Sequence, residues 1–200
     1  MSKGLLIVIS APSGTGKTTL SNELLKRVDG IRYSVSITTR PPRPGEEDGR
    51  EYVFVSEKDF TARRERGELI EWARVHGYWY GTPKEFLGRE LAAGYDVLLD
   101  IDVQGGRQIK LTHPDAVLIF IAPPSLTVLE KRLRERRQDD EPSIQKRMQA
   151  VRDEIAAAAD YDYLIVNHRV PEASEQLCAV VTAERCRMSR SRLPLEQAIS

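Results

Sequence analysis

The stretch Leu5-Leu6-Ile7-Val8-Ile9-Ser10-Ala11-Pro12-Ser13-Gly14-Thr15-Gly16-Lys17-Thr18-Thr19 constrains the fold more than any other part of the chain. Its first half is a short apolar run rich in branched side chains, the composition of a strand buried on both faces. Gly14 and Gly16 interrupt the run, and Leu20, Leu24 and Leu25 then recur at helical spacing. Strand, glycine loop and helix in that order are the context of a phosphate-binding loop. Backbone N–H groups turn inward around a phosphate, and the helix adds its positive N-terminal end. On this reading Ala11, Pro12, Ser13, Gly14, Thr15, Gly16, Lys17, Thr18 and Thr19 hold the phosphates of a nucleoside triphosphate. Lys17 reaches the β- and γ-phosphates, and the Thr18 hydroxyl sits on Mg²⁺. The pattern G-x-x-x-x-G-K-[ST] is met except at its first position, which is Ala11. The bland alternative is a glycine-rich turn that opens an ordinary helix, but Gly-Lys-Thr at a strand-to-helix junction is rarely accidental.

At 200 residues the chain suffices for one α/β domain with a sizeable core and room for insertions. Lysine plus arginine equals aspartate plus glutamate, 30 each, so no global field favours nucleic acid or a membrane. The expected partners are therefore small-molecule substrates, with no nucleic acid, no membrane and no obligate protein partner. Cys178 and Cys186 read as lying on one helix face, which suits reduced thiols better than a disulfide or a metal site. The apolar run from Leu5 to Ile9 is too short for a signal-peptide core or a membrane span. A cytoplasmic location is expected.

Along the chain, the first helix should run from about Lys17 to Val28, followed by a loosely alternating strand from Ile31 to Thr39. Arg40-Pro41-Pro42-Arg43-Pro44-Gly45 excludes helix and holds its two arginines on a stiff, extended segment. Tyr52 to Val55 reads as a strand, and Ser56 caps a short helix that ends at Gly67. Leu69 to Val75 and Tyr78 to Gly81 read as two strands turning at Gly77. Thr82-Pro83-Lys84-Glu85 has the form of a capping box with proline at the first helical position. Apolar strands are then expected at Val97 to Asp102, Val117 to Ala122 and Tyr163 to Asn167, with a helix capped by Ser125 and a closing helix from about Glu172 to Arg187. Alternating strands and helices imply a parallel sheet covered on both faces. The expected fold is a three-layer α/β fold of the P-loop NTPase kind. Its core covers about 4–30 and 83–190, with a small inserted lobe at about 31–82. Arg136 to Ser143 is too polar to pack and marks a lid, taken as about 132–147.

Several side chains suit phosphoryl transfer. Asp100 ends an apolar strand, where a Walker-B carboxylate faces Mg²⁺. Arg40 and Arg43 can clamp a phosphate, or form only a solvated basic loop. Arg132 and Arg136 share a helix face within Lys131-Arg132-Leu133-Arg134-Glu135-Arg136-Arg137. That run has no aromatic residues for stacking on bases, but beside a lid it can neutralise a phosphoryl group in transfer. His76, His113 and His168 show no metal spacing and are not expected to be catalytic.

Taken together, Ala11 to Thr18, Ser36-Ile37-Thr38-Thr39-Arg40, Arg43-Pro44-Gly45, Tyr52, Glu71-Trp72, Tyr80-Gly81-Thr82, Asp100-Ile101-Asp102-x-Gln104-Gly105 and Ile165-Val166-Asn167 form an ordered set. With it the chain resembles the bacterial guanylate kinases from about residue 4 to 190. Ala11 agrees with that family, which has alanine at the first loop position. The resemblance implies transfer of the ATP γ-phosphoryl group to GMP, giving ADP and GDP, with Mg²⁺ as cofactor. It implies a GMP site of Ser36, Arg40, Arg43, Tyr52, Glu71, Tyr80, Thr82 and Asp102. Lys17, Arg40, Arg132, Arg136 and Arg147 would be catalytic, Thr18 and Asp100 would hold Mg²⁺ directly or through water, and Asn167 would lie near adenine. In the lid the family's Arg-Gly-Arg-Gly is replaced by Arg134-Glu135-Arg136-Arg137, and the loss of two glycines stiffens a hinge.

The residues themselves point the same way. Guanine presents the adjacent donors N1–H and N2–H₂, where adenine presents an acceptor and a bare C–H. Carboxylates such as Glu71 and Asp102 suit the first and would be left unpaired by the second. Two alternatives stay open at this point. A catalytically inactive guanylate-kinase-like domain that binds proteins is opposed by the intact Lys17, Thr18 and Asp100. A kinase acting on a sugar phosphate is opposed by Glu71, Asp102 and the Tyr80-Gly81-Thr82 turn.

Overall fold

The computed structural model of the chain describes residues 4–135 and 141–190, and the side chains of residues 132, 133, 135, 141–144, 146 and 147 are outside that description. The apolar runs of the sequence become five parallel strands. In chain order they are β1 (Leu6–Ser10), β2 (Ile31–Tyr33), β7 (Asp96–Asp100), β8 (Val117–Ala122) and β9 (Tyr163–Val166), and their spatial order is β2-β7-β1-β8-β9. β1 lies at the centre, pairing Ile7 with Leu98 on one side and with Val117 on the other. Its five residues are all buried, as a strand covered by helices on both faces requires.

Two helical layers cover the sheet. On one face α1 (Lys17–Arg27) and α7 (Val170–Arg185) pack Leu20, Leu24, Leu177 and Val181 against Ile7, Ile9 and Ile119. On the other, α3 (Lys84–Ala92) and α4 (Val103–Thr112) pack Leu87, Leu91 and Ile109 against Val8, Leu99 and Leu118. α5 (Leu126–Glu135) and α6 (Glu141–Ala156) pack on each other through Leu129 and Val151. The expected three-layer α/β fold is present.

A second sheet lies between β2 and α3. It is built from β3 (Ile37–Thr38), β4 (Val53–Phe54), β5 (Leu69–Val75) and β6 (Tyr78–Pro83), in the order β4-β3-β6-β5, with α2 (Glu57–Glu65) packed beside it. Its own small core is Ile37, Phe60 and Leu69. Ser56 caps α2, accepting from Asp59 N–H as expected. The β5–β6 turn places both His76 (φ 49) and Gly77 (φ 89) in the left-handed region, the backbone of a tight hairpin turn.

Two local expectations are corrected. The single strand expected from Ile31 to Thr39 is two: Ile31–Tyr33 pairs with β7 at the edge of the parallel sheet, and Ile37–Thr38 pairs with β4 and β6 in the second sheet. The capping box at Thr82 does not form. β6 runs through Pro83, Pro83 itself caps α3 without a side-chain bond, and the Thr82 hydroxyl is drawn to a buried carboxylate instead. Beyond the expected elements, α4 starts where Asp102 accepts from Gly105 N–H. Within the lid expected at about 132–147, residues 136–140 lie outside the described residues; of the polar stretch, 141–143 belongs to α6.

Candidate active site

At the C-terminal ends of β1 and β7 the parallel sheet opens, and the chain turns from β1 into the loop 11–16. Thr15 N–H donates to the Pro12 carbonyl at 3.1 Å, closing the loop. Gly16 has φ 94 and precedes α1 without a side-chain cap, and no acidic residue occupies the first turn. The positive end of α1 and its leading N–H groups thus face the loop, as anion binding requires. Lys17 forms an ion pair with Asp100 and donates to the Ile101 carbonyl at 3.2 Å. Burial opposes its charge, but the Asp100 carboxylate outweighs that and holds the ammonium above its ordinary range. Ser21 Oγ donates to the second Asp100 oxygen at 3.4 Å. Thr18 is exposed at the head of α1. Hard oxygen donors of this kind, a hydroxyl and a carboxylate, fit Mg²⁺ better than any softer metal.

The second sheet brings a different set together. Arg40, 7 % exposed, donates from Nε to Tyr80 OH at 3.2 Å and from one terminal nitrogen to both Glu46 oxygens at 2.9 Å each. Its other terminal nitrogen donates to the Pro41 carbonyl at 2.8 Å. Burial works against this charge too, and Glu46 and Tyr80 more than offset it. The Tyr52 ring lies 5.7 Å from that of Tyr80 and 5.5 Å from the Arg40 guanidinium. Tyr52 loses its proton less readily than an ordinary tyrosine, chiefly because it is buried. Arg43 is exposed, and its backbone N–H donates to Glu46 at 2.7 Å.

Glu71 is 2 % exposed on β5 and accepts from the Thr82 hydroxyl of β6 at 2.6 Å. Burial pushes its carboxyl up to about 7, against the hydrogen bond from Thr82 and with a smaller push from the Asp102 charge. Asp102 spends one oxygen on Gly105 N–H at 2.9 Å and the other on Gln104 Nε2 at 3.0 Å, as the cap of α4. Ser36 and Thr82 are both buried. Asn167, after β9, is 2 % exposed and donates to the Thr15 carbonyl at 2.7 Å. Of the expected catalytic arginines, Arg136 lies outside the described residues, as do the side chains of Arg132 and Arg147.

Residues to which the sequence analysis gave no site role lie against this set. Glu46 fixes Arg40 and the Arg43 backbone together; the Pro44-Gly45 turn that folds it back was its one local signal. Gly105 lets α4 approach β5, since a Cβ there would collide with Glu71 Oε2. Gln108 of α4 ties to both the N–H and the carbonyl of Trp72. Glu154 of α6, pushed by burial up to about 7, feels the charges of Asp102 and Lys17, and no spacing pattern marks it.

Comparison with known proteins bears on this arrangement directly. The guanylate kinase family model matches residues 3–184. The chain is 49% identical to a guanylate kinase of Myxococcus xanthus, over 94% of this chain and 90% of that protein. It is 43% identical to one of Thermotoga maritima over 98% and 94%. Among solved structures, the guanylate kinase of Anaplasma phagocytophilum superposes with a TM-score of 0.81 at 34% identity, covering 94% of this chain and 90% of that one. Matched by that family model over residues 3–184 and by relatives of this identity along most of its length, this chain belongs to the guanylate kinase family.

Proposed function

We propose that the chain transfers the γ-phosphoryl group of ATP to GMP, giving ADP and GDP. The observation that carries this reading is Glu71, a buried carboxylate set against Thr82 on the same small sheet as the Arg40–Tyr80 pair. A base with two adjacent N–H donors satisfies such a carboxylate, whereas adenine would set an acceptor against it in a buried place. Arg40, Arg43, Tyr52 and Tyr80 form the acceptor-phosphate end of the GMP site, and Ser36, Glu71, Thr82 and Asp102 its base end. Residues 11–19 hold the ATP phosphates. Lys17 leaves Asp100 for the β- and γ-phosphates when ATP enters, at little net electrostatic cost because one anion replaces another.

Thr18 and Asp100, hard oxygen donors, would hold Mg²⁺ directly or through water. When bound it neutralises charge on the transferring group. Arg132, Arg136 and Arg147 close over the phosphates with the lid at about 132–147, and the second sheet closes as a GMP lobe over a core of about 4–30 and 83–190. Closure would exclude water from the transferring phosphoryl group. No helix among the described residues is long and apolar enough to cross a membrane, and the free thiols of Cys178 and Cys186 suit the reducing cytoplasm.

A coupled ADP-release assay with GMP, AMP, CMP, UMP and ribose phosphate tests this function. Turnover confined to GMP is expected. Equal turnover of AMP or of ribose phosphate would overturn base recognition at Glu71, and no turnover with any acceptor would overturn the enzymatic assignment.

A further inference from the structure

We infer that Asn167 is a positioning residue for the phosphate loop, acting through the Thr15 carbonyl. The inference rests on the proposal that residues 11–19 hold the ATP phosphates. Asn167 lies between β9 and α7 and is 2 % exposed. Its backbone N–H is taken by the Ala122 carbonyl of β8 at 2.9 Å, which fixes the residue to the sheet. Its side-chain Nδ2 donates to the Thr15 carbonyl at 2.7 Å, joining residues 152 positions apart. Thr15 itself is 1 % exposed.

The loop backbone is shaped around this amide. Gly16 adopts φ +94, and a Cβ there would come within 2.8 Å of Asn167 Nδ2. Gly16 is thus needed twice: its φ lies where side chains are rarely tolerated, and the space on that side is filled by Asn167. Thr15 and Gly16 are the last residues before Lys17 opens α1. The peptide that joins Thr15 to Gly16 carries the Thr15 carbonyl on one side and the Gly16 N–H on the other, because peptide groups are planar and trans. Holding the carbonyl from beneath therefore turns the Gly16 N–H the opposite way, towards the phosphate side. One N–H of this buried amide is spent on the Thr15 carbonyl and its Oδ1 has no hydrogen-bond partner among the described residues, so the bond that ties the side chain to its surroundings is the one to the loop.

Loop positioning and an adenine contact separate when the base is removed from the ligand. Inorganic tripolyphosphate carries the phosphate chain and no base, and its binding in the presence of Mg²⁺ can be followed by calorimetry beside that of ATP. Asn167→Asp keeps the shape but replaces the donor by a carboxylate that repels the carbonyl, and Asn167→Ala removes the side chain. Both variants should weaken ATP and tripolyphosphate by the same factor, ~10-fold or more, as expected for a lost buried hydrogen bond that orders a loop. GMP affinity, unchanged, serves as the check that each variant is folded. Should Asn167→Ala fail that check, Asn167→Asp carries the test alone. Weakened ATP with unchanged tripolyphosphate would overturn the inference in favour of an adenine contact, and unchanged binding of both would overturn it as well. If the unaltered protein binds ATP but not tripolyphosphate, the donor-site assignment of the loop fails, and the inference falls with it.

Discussion

Replacing Glu71 by glutamine should make the protein more stable and a worse GMP kinase at once. The carboxyl, buried at 2 % exposure, is pushed from 4.5 up to about 7. Keeping it ionised at higher pH therefore costs the folded state roughly 3 kcal/mol, at about 1.4 kcal/mol per pH unit. The sign follows from proton binding. Between 4.5 and about 7 the folded chain holds the proton that the unfolded chain has released, so stability declines as pH rises through that window. Glutamine does not titrate, and it can still accept the Thr82 hydroxyl that now bonds Glu71 at 2.6 Å. Relative to the natural protein, Glu71→Gln should thus gain stability from pH 5 to 8, by up to ~3 kcal/mol. In the GMP complex the change runs the other way. Two carboxylate oxygens can accept from both guanine donors, whereas a glutamine offers one acceptor and one amine that faces a donor. That mismatch costs roughly 1–3 kcal/mol, a ~10–100-fold loss in kcat/KM for GMP and a narrower preference over AMP. Urea unfolding across that pH range and kcat/KM for both monophosphates test the two halves separately. Parallel pH–stability curves for the two proteins, or an unmoved GMP:AMP ratio, would refute the reasoning.

Three further substitutions probe the rest of the site. Lys17→Ala removes a charge-assisted phosphate contact worth ~2–4 kcal/mol in the transition state, so turnover should fall at least ~100-fold while circular dichroism stays native; near-normal turnover would dismiss Lys17 from the chemistry. Glu46→Gln weakens the ion pair that orients Arg40, so steady-state kinetics should show KM for GMP rising ~5–20-fold with a smaller change in kcat. An unaltered KM would mean that Arg40 needs no such support. Gly105→Ala drives a methyl group into Glu71 Oε2, which should lower stability by ~1–3 kcal/mol and raise KM for GMP. A crystal structure of that variant with Glu71 unmoved would contradict the tight approach of α4.

Much of the framework could be read directly from the chain because its signals are local. The apolar runs at Leu5 to Ile9 and Val117 to Ala122 declare buried strands by composition, and both pair in the parallel sheet. Gly14 and Gly16 declare the turn into α1 by backbone need, and both take positive φ. Ser56 declares the start of α2 through a bond that spans three residues. Where a local rule met a stronger distant partner it failed. Thr82 has the sequence of a helix cap, yet its hydroxyl serves Glu71, because a buried carboxylate without a donor costs more than an uncapped helix end.

The sequence by itself determined the class of fold and the order of most of its elements. It did so because hydrophobic period, turn residues and capping act over a few neighbouring positions. Tertiary structure alone decided which residues meet. Lys17 is set against Asp100, Arg40 against Glu46 and Tyr80, Glu71 against Thr82 with Gly105 behind it, and Asn167 beneath Thr15. These pairs depend on strand register and helix packing across separations of up to 152 residues, and no periodicity in the chain encodes them. Their energetics are likewise tertiary: burial, a property of the packed sheet and helices, is what lifts the Glu71 carboxyl to about 7.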